Sequence, residues 1–377
     1  MTRPWLVVAG DFAARGGMDA ANAGLAAHLA GRGVTLVAHR VDAGLASRTG
    51  VTVKLAARPL DSDALGEPFL DRLGRREAAR VTAAGGRVVV NGGNCRWGDI
   101  NWLHYVHAAY EPTPRPGWRG LKSRWHRRRA LRREREAVAI SRVTVCNSLL
   151  TARHAVELLG ASPDRVRLVP LGCDPAVSHA VTPDERREAR AALGWGDGPR
   201  ALFVGALGDG RKGFDTLYAA WTILGATPGW DVRLAVAGRG AALKGWRARA
   251  AADGLTDRVE FLGFRADVPR LLAAADVLVH PARYEAYGLG VREALCRGLP
   301  AIVSARAGVA ADYPPGLGDL LLQNPDDAGE LAARLRHWRG TLEAWPGRVA
   351  DLAAGLRQRT WAVMAADFVD AVGGDGS

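Results

Sequence analysis

"ALFVGALGDGRKGFD", residues 201–215, is the stretch on which the reading of the chain turns. A short apolar run, Ala201 to Val204, enters a glycine-rich loop, and an amphipathic stretch follows. Strand, glycine loop and helix in that order make a βα unit able to hold a phosphate. The loop contains Gly208-x-Gly210-x-x-Gly213, the spacing of a dinucleotide-binding turn, and is one residue away from a P-loop. A dinucleotide site takes an acidic residue after its second strand, for the ribose diol. Here the next run, "VRLAVAG", ends in Gly238-Arg239-Gly240. A P-loop needs Ser or Thr after its lysine as the Mg²⁺ ligand, and Lys212 is followed by Gly213. What remains is a glycine loop with Arg211 and Lys212, cations that can neutralise a diphosphate without a metal. Taken alone, a tight βα turn with a solvated Arg-Lys pair would read the same way.

Similar runs recur outward from this loop. Before it stand Trp5 to Ala9, Val34 to Ala38, Arg87 to Val90, Leu103 to His107, Val143 to Cys146 and Arg165 to Gly172; around and after it stand Ala201 to Gly205, Val232 to Ala237, Val259 to Gly263, Val277 to His280, Ala301 to Ser304 and Leu320 to Gln323. Continuous rather than alternating apolarity marks strands buried on both faces of a parallel sheet. The stretch "CDPAVSHAVTPDE" between the two series reads as a linker. Two βα series predict an α/β protein of two Rossmann-like, doubly wound domains with a cleft between them. The expected bounds are 1–176 and 177–345, followed by a helical segment, 346–377, that crosses back to the first domain. Trp361, Met364 and Phe368 stand at helix spacing within that segment.

A chain of 377 residues with 48% apolar content suits two cores. The net charge of +12 raises nucleic acid, acidic lipid or a phosphorylated substrate as partners. Of the 51 basic residues only Lys54, Lys122, Lys212 and Lys244 are lysine, so arginine-rich codon usage accounts for part of that signal. Cys95, Cys146, Cys173 and Cys296 form no CxxC pair and read as reduced, packed thiols of a cytoplasmic protein. No metal site is expected. No run approaches the ~20 apolar residues of a membrane span, so the expectation is a soluble chain or one peripheral to the inner face of a membrane.

A second feature is "HPARYEAYGLGVREALCRGLP", residues 280–300, in which seven residues separate Glu285 from Glu293. Gly288 and Gly290 permit a tight turn from strand into a short helix, and Gly298 and Pro300 stop that helix. Glu285 then lies in a loop at the carboxyl end of a strand, and Glu293 on the helix. The amides near Leu289 and Gly290 open a helix N-terminus, which favours an anion. A carboxylate beside it suits a ribose diol, and one in the loop suits sugar hydroxyls. The plainer readings are a dipole-complementing Glu293 and a Glu285 paired with Arg283.

These residues also carry a resemblance. The Glu285-x7-Glu293 pair with Ala294, Gly298 and Pro300 resembles the donor-site segment of glycosyltransferase family 4, retaining enzymes of the GT-B fold. "FVGALGDGRKGFDTL" resembles that family's phosphate loop, "VEFLGFRADVPRLLAAADVLVHP" the stretch leading into the pair, and "SLLTARHAVELLG" with "VRLVPLGCDP" the end of its N-terminal domain. The resemblance implies a metal-independent transfer of a hexose-type sugar from a UDP or GDP sugar to an unidentified glycan, lipid-linked or small-molecule acceptor, in cell-envelope, glycolipid or secondary-metabolite synthesis. No cofactor is implied. Lys212, with Arg211 beside it, would hold the diphosphate, Glu293 with Leu289 and Gly290 the nucleotide, and Glu285 the transferred sugar. Gly16-Gly17 matches the N-terminal glycine pair that lets backbone approach the phosphates. His107 is the match to the histidine near the reacting centre, with His104 as competitor. If their run is a strand, only one of the two can face the cleft. One position departs from the pattern: Ala206 stands where the family has an arginine, which leaves Arg211 to supply that cation.

The segment "PRPGWRGLKSRWHRRRALRREREA", residues 114–137, holds ten Lys or Arg between Arg115 and Arg135. Trp118, Leu121 and Trp125 fall on one helix face. A membrane-surface contact through 115–135, a helix whose tryptophans pack on its own domain and a role in the acceptor cleft are all open, the last two being favoured; no nucleic acid is expected. A sugar phosphorylase or hydrolase on the same fold, or a non-catalytic nucleotide-sugar-binding scaffold, are the alternative functions.

Overall fold

A computed structural model of the protein describes residues 3–13, 16–112, 117–208 and 210–373. The chain forms two compact units, Met1–Gly172 with Arg359–Ser377, and Cys173–Gln358. The division therefore falls at Gly172/Cys173 rather than 176/177. The C-terminal segment, expected as one body, is divided at Arg359 between the two units.

In the first unit, seven strands are joined into one parallel sheet. They are β1 (Trp5–Val8), β2 (Val34–Ala38), β3 (Val51–Leu55), β4 (Arg87–Asn91), β5 (Ile100–Leu103), β6 (Val143–Cys146) and β7 (Val166–Leu168), in the order β3-β2-β1-β4-β5-β6-β7. All residues of β1, β5 and β6 are buried, the polar Asn101 and Thr144 among them, so these strands are covered on both faces and do not alternate between apolar and solvent-facing residues. The connecting helices are α1 (Gly17–Leu29), α2 (Asp63–Ala83), α3 (Gly117–Ile140) and α4 (Leu149–Leu159). The run Leu103 to His107 is not a strand: β5 ends at Leu103, and His107 opens a 3₁₀ turn, His107–Ala109.

The second unit repeats the plan. Its strands β8 (Arg200–Val204), β9 (Arg233–Ala237), β10 (Val259–Gly263), β11 (Val277–His280), β12 (Ala301–Ser304) and β13 (Leu321–Leu322) lie in the order β10-β9-β8-β11-β12-β13, all parallel. Its helices are α5 (Pro183–Leu193), α6 (Phe214–Gly225), α7 (Leu243–Ala252), α8 (Val268–Ala274), α9 (Leu289–Cys296), α10 (Ala328–Gly340) and α11 (Ala350–Gln358). The last helix, α12 (Trp361–Ala371), returns to the first unit. There it packs on α1, where a Cβ at Gly24 would stand 3.0 Å from that of Trp361. Met364 and Phe368 are buried, the latter against Trp102 at 4.8 Å between rings.

Each sheet reverses its strand order once, between β1 and β4 in the first unit and between β8 and β11 in the second. Ligands of open parallel sheets bind outside the carboxyl ends of the strands at that reversal. All four cysteines are free and buried. No helix among the described residues is long and apolar enough to cross a membrane.

Candidate functional site

The loop from β8 to α6 is held by close backbone approaches that only glycine permits. Gly213, the residue before α6, has φ +69°, and a Cβ there would stand 1.9 Å from the carbonyl oxygen of Pro281. The Gly238-Arg239-Gly240 turn after β9 has the same cause. A Cβ at Gly238 would meet the oxygen of Gly205 at 1.9 Å, and one at Gly240 that of Leu207 at 1.9 Å. The residue type that a ribose-binding acid would occupy is thus taken up by the contact of two loops. Arg283 fastens the first of these loops from the other side. Its guanidinium donates to Asp215 at 2.7 and 2.8 Å, to the Gly210 carbonyl at 2.5 Å and to Asp326 at 2.6 Å. Asp209 lies outside the described residues.

This arrangement sets Arg211 and Lys212 against Glu285, across the strand reversal between β8 and β11. The Lys212 ammonium pairs with Glu285 Oε2, Arg211 Nη1 lies 3.5 Å from the same oxygen, and Arg211 also donates to the Tyr284 carbonyl at 3.1 Å. His280, the last residue of β11, is buried and meets Glu285 Oε2 through Nε2 at 3.3 Å. Burial pushes the His280 ring below its ordinary range. It is therefore neutral, and since a carboxylate only accepts, Nε2 carries the proton. Burial would raise Glu285, but the His280 hydrogen bond and the Lys212 charge overcome it and hold the acid well below the usual carboxylate range. The expected Glu285–Arg283 pairing does not form, because Arg283 is engaged by Asp215 and Asp326.

The Glu285 loop runs directly into α9. Its backbone is pinned by Gly308 N–H donating to the Glu285 carbonyl at 2.9 Å and Val309 N–H to that of Tyr287 at 2.6 Å. Gly288 turns the chain at φ +110°, and a Cβ there would stand 3.5 Å from Glu285 Cγ. The N-terminus of α9, Leu289 and Gly290, therefore opens beside the Glu285 side chain. The amides of these first two helical residues have no acceptor within the helix, and Gly290 is exposed. Glu293 lies on the same helix. Burial pushes its acid up to about 7, with Arg297 opposing. Among the described residues its carboxyl makes no hydrogen bond or ion pair.

The remaining residues singled out in the sequence belong to the first unit. Gly16, at φ +97°, precedes α1 and needs the freedom of glycine, whereas a Cβ at Gly17 would meet nothing within 4 Å. Ala14 and Arg15 lie outside the described residues. His104 and His107 part company: His104 is buried against Trp102 at 4.3 Å between rings, and burial lowers it to about 3, a neutral core histidine. His107 is half-exposed, and its Nδ1 lies 3.0 Å from Glu134 Oε1.

On α3 the expected burial of the apolar face does not occur: Trp118, Leu121 and Trp125 are 69%, 68% and 57% exposed. Residues 113–116, including Arg115, lie outside the described residues.

His280 and Glu134 were missed in the sequence. A histidine closing an apolar strand at its carboxyl end was a legible signal for the first. Nothing in the sequence marks the second among its arginine neighbours.

With the geometry in place, residues 198–338 match the family model described as glycosyl transferases group 1. Among curated relatives, the D-inositol 3-phosphate glycosyltransferase of Stackebrandtia nassauensis is 31% identical over 286 residues, covering 71% of this chain and 59% of that protein. The chain thus spans less than two thirds of that relative's length. In three dimensions it is similar to WaaG, a glycosyltransferase involved in lipopolysaccharide biosynthesis, with a TM-score of 0.76, 20% identity and coverage of 98% of this chain and 100% of that one. It is also similar to Anabaena HepE in complex with UDP and glucose, with a TM-score of 0.72, 18% identity and coverage of 98% and 99%. At those identities the likeness is one of fold, and the fold is GT-B, an α/β architecture of two Rossmann-like units.

Proposed function

We propose that the protein is a retaining glycosyltransferase that moves a hexose-type sugar from a UDP or GDP sugar to an acceptor hydroxyl or amine, without a metal. The observation that carries this reading is the convergence of Lys212, Arg211 and Glu285 at the strand reversal of the second unit, within the segment matched by the family model. HepE, bound to UDP and glucose, supports a nucleotide-sugar donor. Four buried free thiols suit a reducing, cytoplasmic setting.

In this reading the anomeric carbon–oxygen bond to the diphosphate breaks and a bond to the acceptor oxygen or nitrogen forms on the same face. The acceptor's proton passes to the departing phosphate oxygen. Charge growing on the leaving group is met by Lys212, by Arg211 in place of the cation absent at Ala206, and by the N-terminus of α9 at Leu289 and Gly290. Glu285, kept ionised by His280 and Lys212, accepts hydroxyls of the transferred sugar. Glu293 binds the ribose diol, and in the first unit Gly16-Gly17 and His107 are assigned the roles of the glycine pair for the phosphates and of the histidine for the reaction. The exposed Trp118, Leu121 and Trp125, interleaved with arginines, give α3 a face for the surface of an anionic membrane.

The test is sugar transfer by Glu285→Ala and Lys212→Ala across UDP and GDP sugars. Losses of about 10²–10³ in kcat/KM are expected for each, the scale of removing one electrostatic contact to a transition state. Turnover at the wild-type rate in both variants sinks the assignment. Turnover without any nucleotide would favour a phosphorylase or hydrolase.

A further inference from the structure

Glu134 lies within an arginine-rich turn of α3, between Arg133 and Arg135 and two residues from Arg132. Arg132 and Arg133 find carboxylate partners in Glu136 and Glu67. Glu134 does not join them. Its side chain is 1% exposed, and among the described residues its carboxylate has no arginine partner. Both of its oxygens are given to one residue. Oε2 accepts the backbone N–H of His107 at 3.0 Å, and Oε1 faces His107 Nδ1 at 3.0 Å.

The approach of α3 that makes this possible is built into the loop after β4. A Cβ at Gly93 would stand 3.0 Å from the backbone nitrogen of Glu134, and one at Gly92 4.0 Å from Oε1. Burying a carboxylate is unfavourable unless hydrogen bonds replace its water. Here the bonds that replace it are those to His107. His107 itself follows the carboxyl end of β5, next to β4 in the sheet, and the side chain is 47% exposed. A buried acid thus holds a half-exposed imidazole just beyond the carboxyl end of β5 in the first unit.

We propose that Glu134 is the positioning residue of His107. By accepting from Nδ1–H it fixes the imidazole tautomer and leaves Nε2 as the acceptor nitrogen, able to take a hydrogen bond from a ligand hydroxyl. The catalytic consequence rests on the glycosyltransferase reading above; the tautomer does not. An imidazole left to choose its tautomer would present Nε2–H, a donor, part of the time. The acid removes that choice before any ligand arrives.

Glu134→Gln tests this, because it keeps size and one acceptor oxygen but turns an NH₂ group toward Nδ1. The proton must then move to Nε2. With ¹⁵N-labelled histidine in the full chain, at a pH where the ring is neutral, the His107 resonances should show protonated Nδ1 in the wild type and protonated Nε2 in E134Q. Turnover should fall by about ten- to a hundredfold, at the lower edge of what a positioned acid–base group contributes, with donor KM little changed. Glu134→Asp retains the charge and should keep Nδ1–H and recover most of the turnover.

A His107 ring that stays protonated at Nδ1 in E134Q overturns the proposal. So does an equal loss of turnover from E134Q in a His107→Ala background. Should E134Q not fold, the wild-type protein alone decides, since protonated Nε2 there overturns the proposal. His107→Ala turning over at the wild-type rate, with the tautomer still switching in E134Q, would remove His107 from the reaction and leave its positioning by Glu134 intact.

Discussion

Glu285 and Glu293 belong to one loop–helix segment, yet their surroundings drive them in opposite directions. Glu285 has burial against it but gains His280 and Lys212, and stays ionised. Glu293 has burial and no compensating bond, and burial carries it from 4.5 up to about 7. The sign of the linkage follows. Protons bind Glu293 more tightly in the folded state than in the unfolded one, so its contribution favours folding below pH 4.5 and is lost as pH rises through 7. Glu293→Gln should therefore raise stability at pH 8 by roughly 2–3 kcal/mol and change it little at pH 4, as read by chemical denaturation at both values. Donor affinity should fall in the same variant, because the group kept at a cost to the fold is the proposed ribose ligand. Equal stability of variant and parent at pH 8 refutes the burial argument. In the sequence, the residue types and spacing of this pair were legible, and so was their place at a strand's carboxyl end. Their partners were not: Lys212 reaches Glu285 across 73 residues of chain, and Arg283, the nearer cation and the plainer alternative, is engaged by Asp215 and Asp326.

Among the elements, the glycine loop after β8 shows that spacing alone does not say what its glycines are for. Its glycine spacing resembled a redox-cofactor turn, but three of the glycines in this region are fixed by contacts between loops. Gly213 meets the Pro281 carbonyl, Gly238 that of Gly205 and Gly240 that of Leu207. Gly213→Ala adds a left-handed backbone penalty of about 1–2 kcal/mol to a collision with backbone that cannot swing aside. A total loss of roughly 3 kcal/mol or more is expected from denaturant unfolding. Donor turnover should fall as well, since the displaced Pro281–Glu285 loop carries the partner of Lys212. Wild-type stability in this variant would mean the two loops are not locked together. The helix α3 makes the complementary point. Its spacing of Trp118, Leu121 and Trp125 was legible as a helix face, but a face is not a destination, and the structure turns it to solvent. Vesicles containing anionic lipid should sediment the protein at low salt, and Trp118→Ala with Trp125→Ala should abolish this, whereas neutral vesicles should not bind. Equal binding by the double variant would leave charge alone as the cause.

At the scale of the whole molecule, the order of the chain and the order of the fold disagree once. The βα series were legible because strands buried on both faces leave long apolar runs, and the repeat of those runs gave two sheets of the same winding. The end of the chain reads as one helical segment, 346–377, crossing back to the first domain, and its bounds miss the division because spacing shows that a helix has an apolar face and not which core receives it. The structure gives α11 to the second unit and α12, only a few residues later, to the first. That handover is made at Gly172, where a Cβ would stand 2.5 Å from the Thr360 carbonyl, and by the Arg359 guanidinium donating to the Pro170 carbonyl at 2.9 Å. On α12, Met364 and Phe368 are fully buried, Phe368 against Trp102 of β5. Burying two such side chains is worth roughly 3–6 kcal/mol, a large part of the stability of an ordinary domain. A chain ending at Arg359 should therefore lose the first unit selectively. In calorimetry its transition should move down or vanish, while the transition of the Cys173–Gln358 unit stays near its place. A nucleoside diphosphate should still raise that surviving transition, because Lys212, Arg211, Glu285 and Glu293 all lie within it. Uniform destabilisation of both units by the truncation would show instead that α12 supports the molecule as a whole and not the first unit alone.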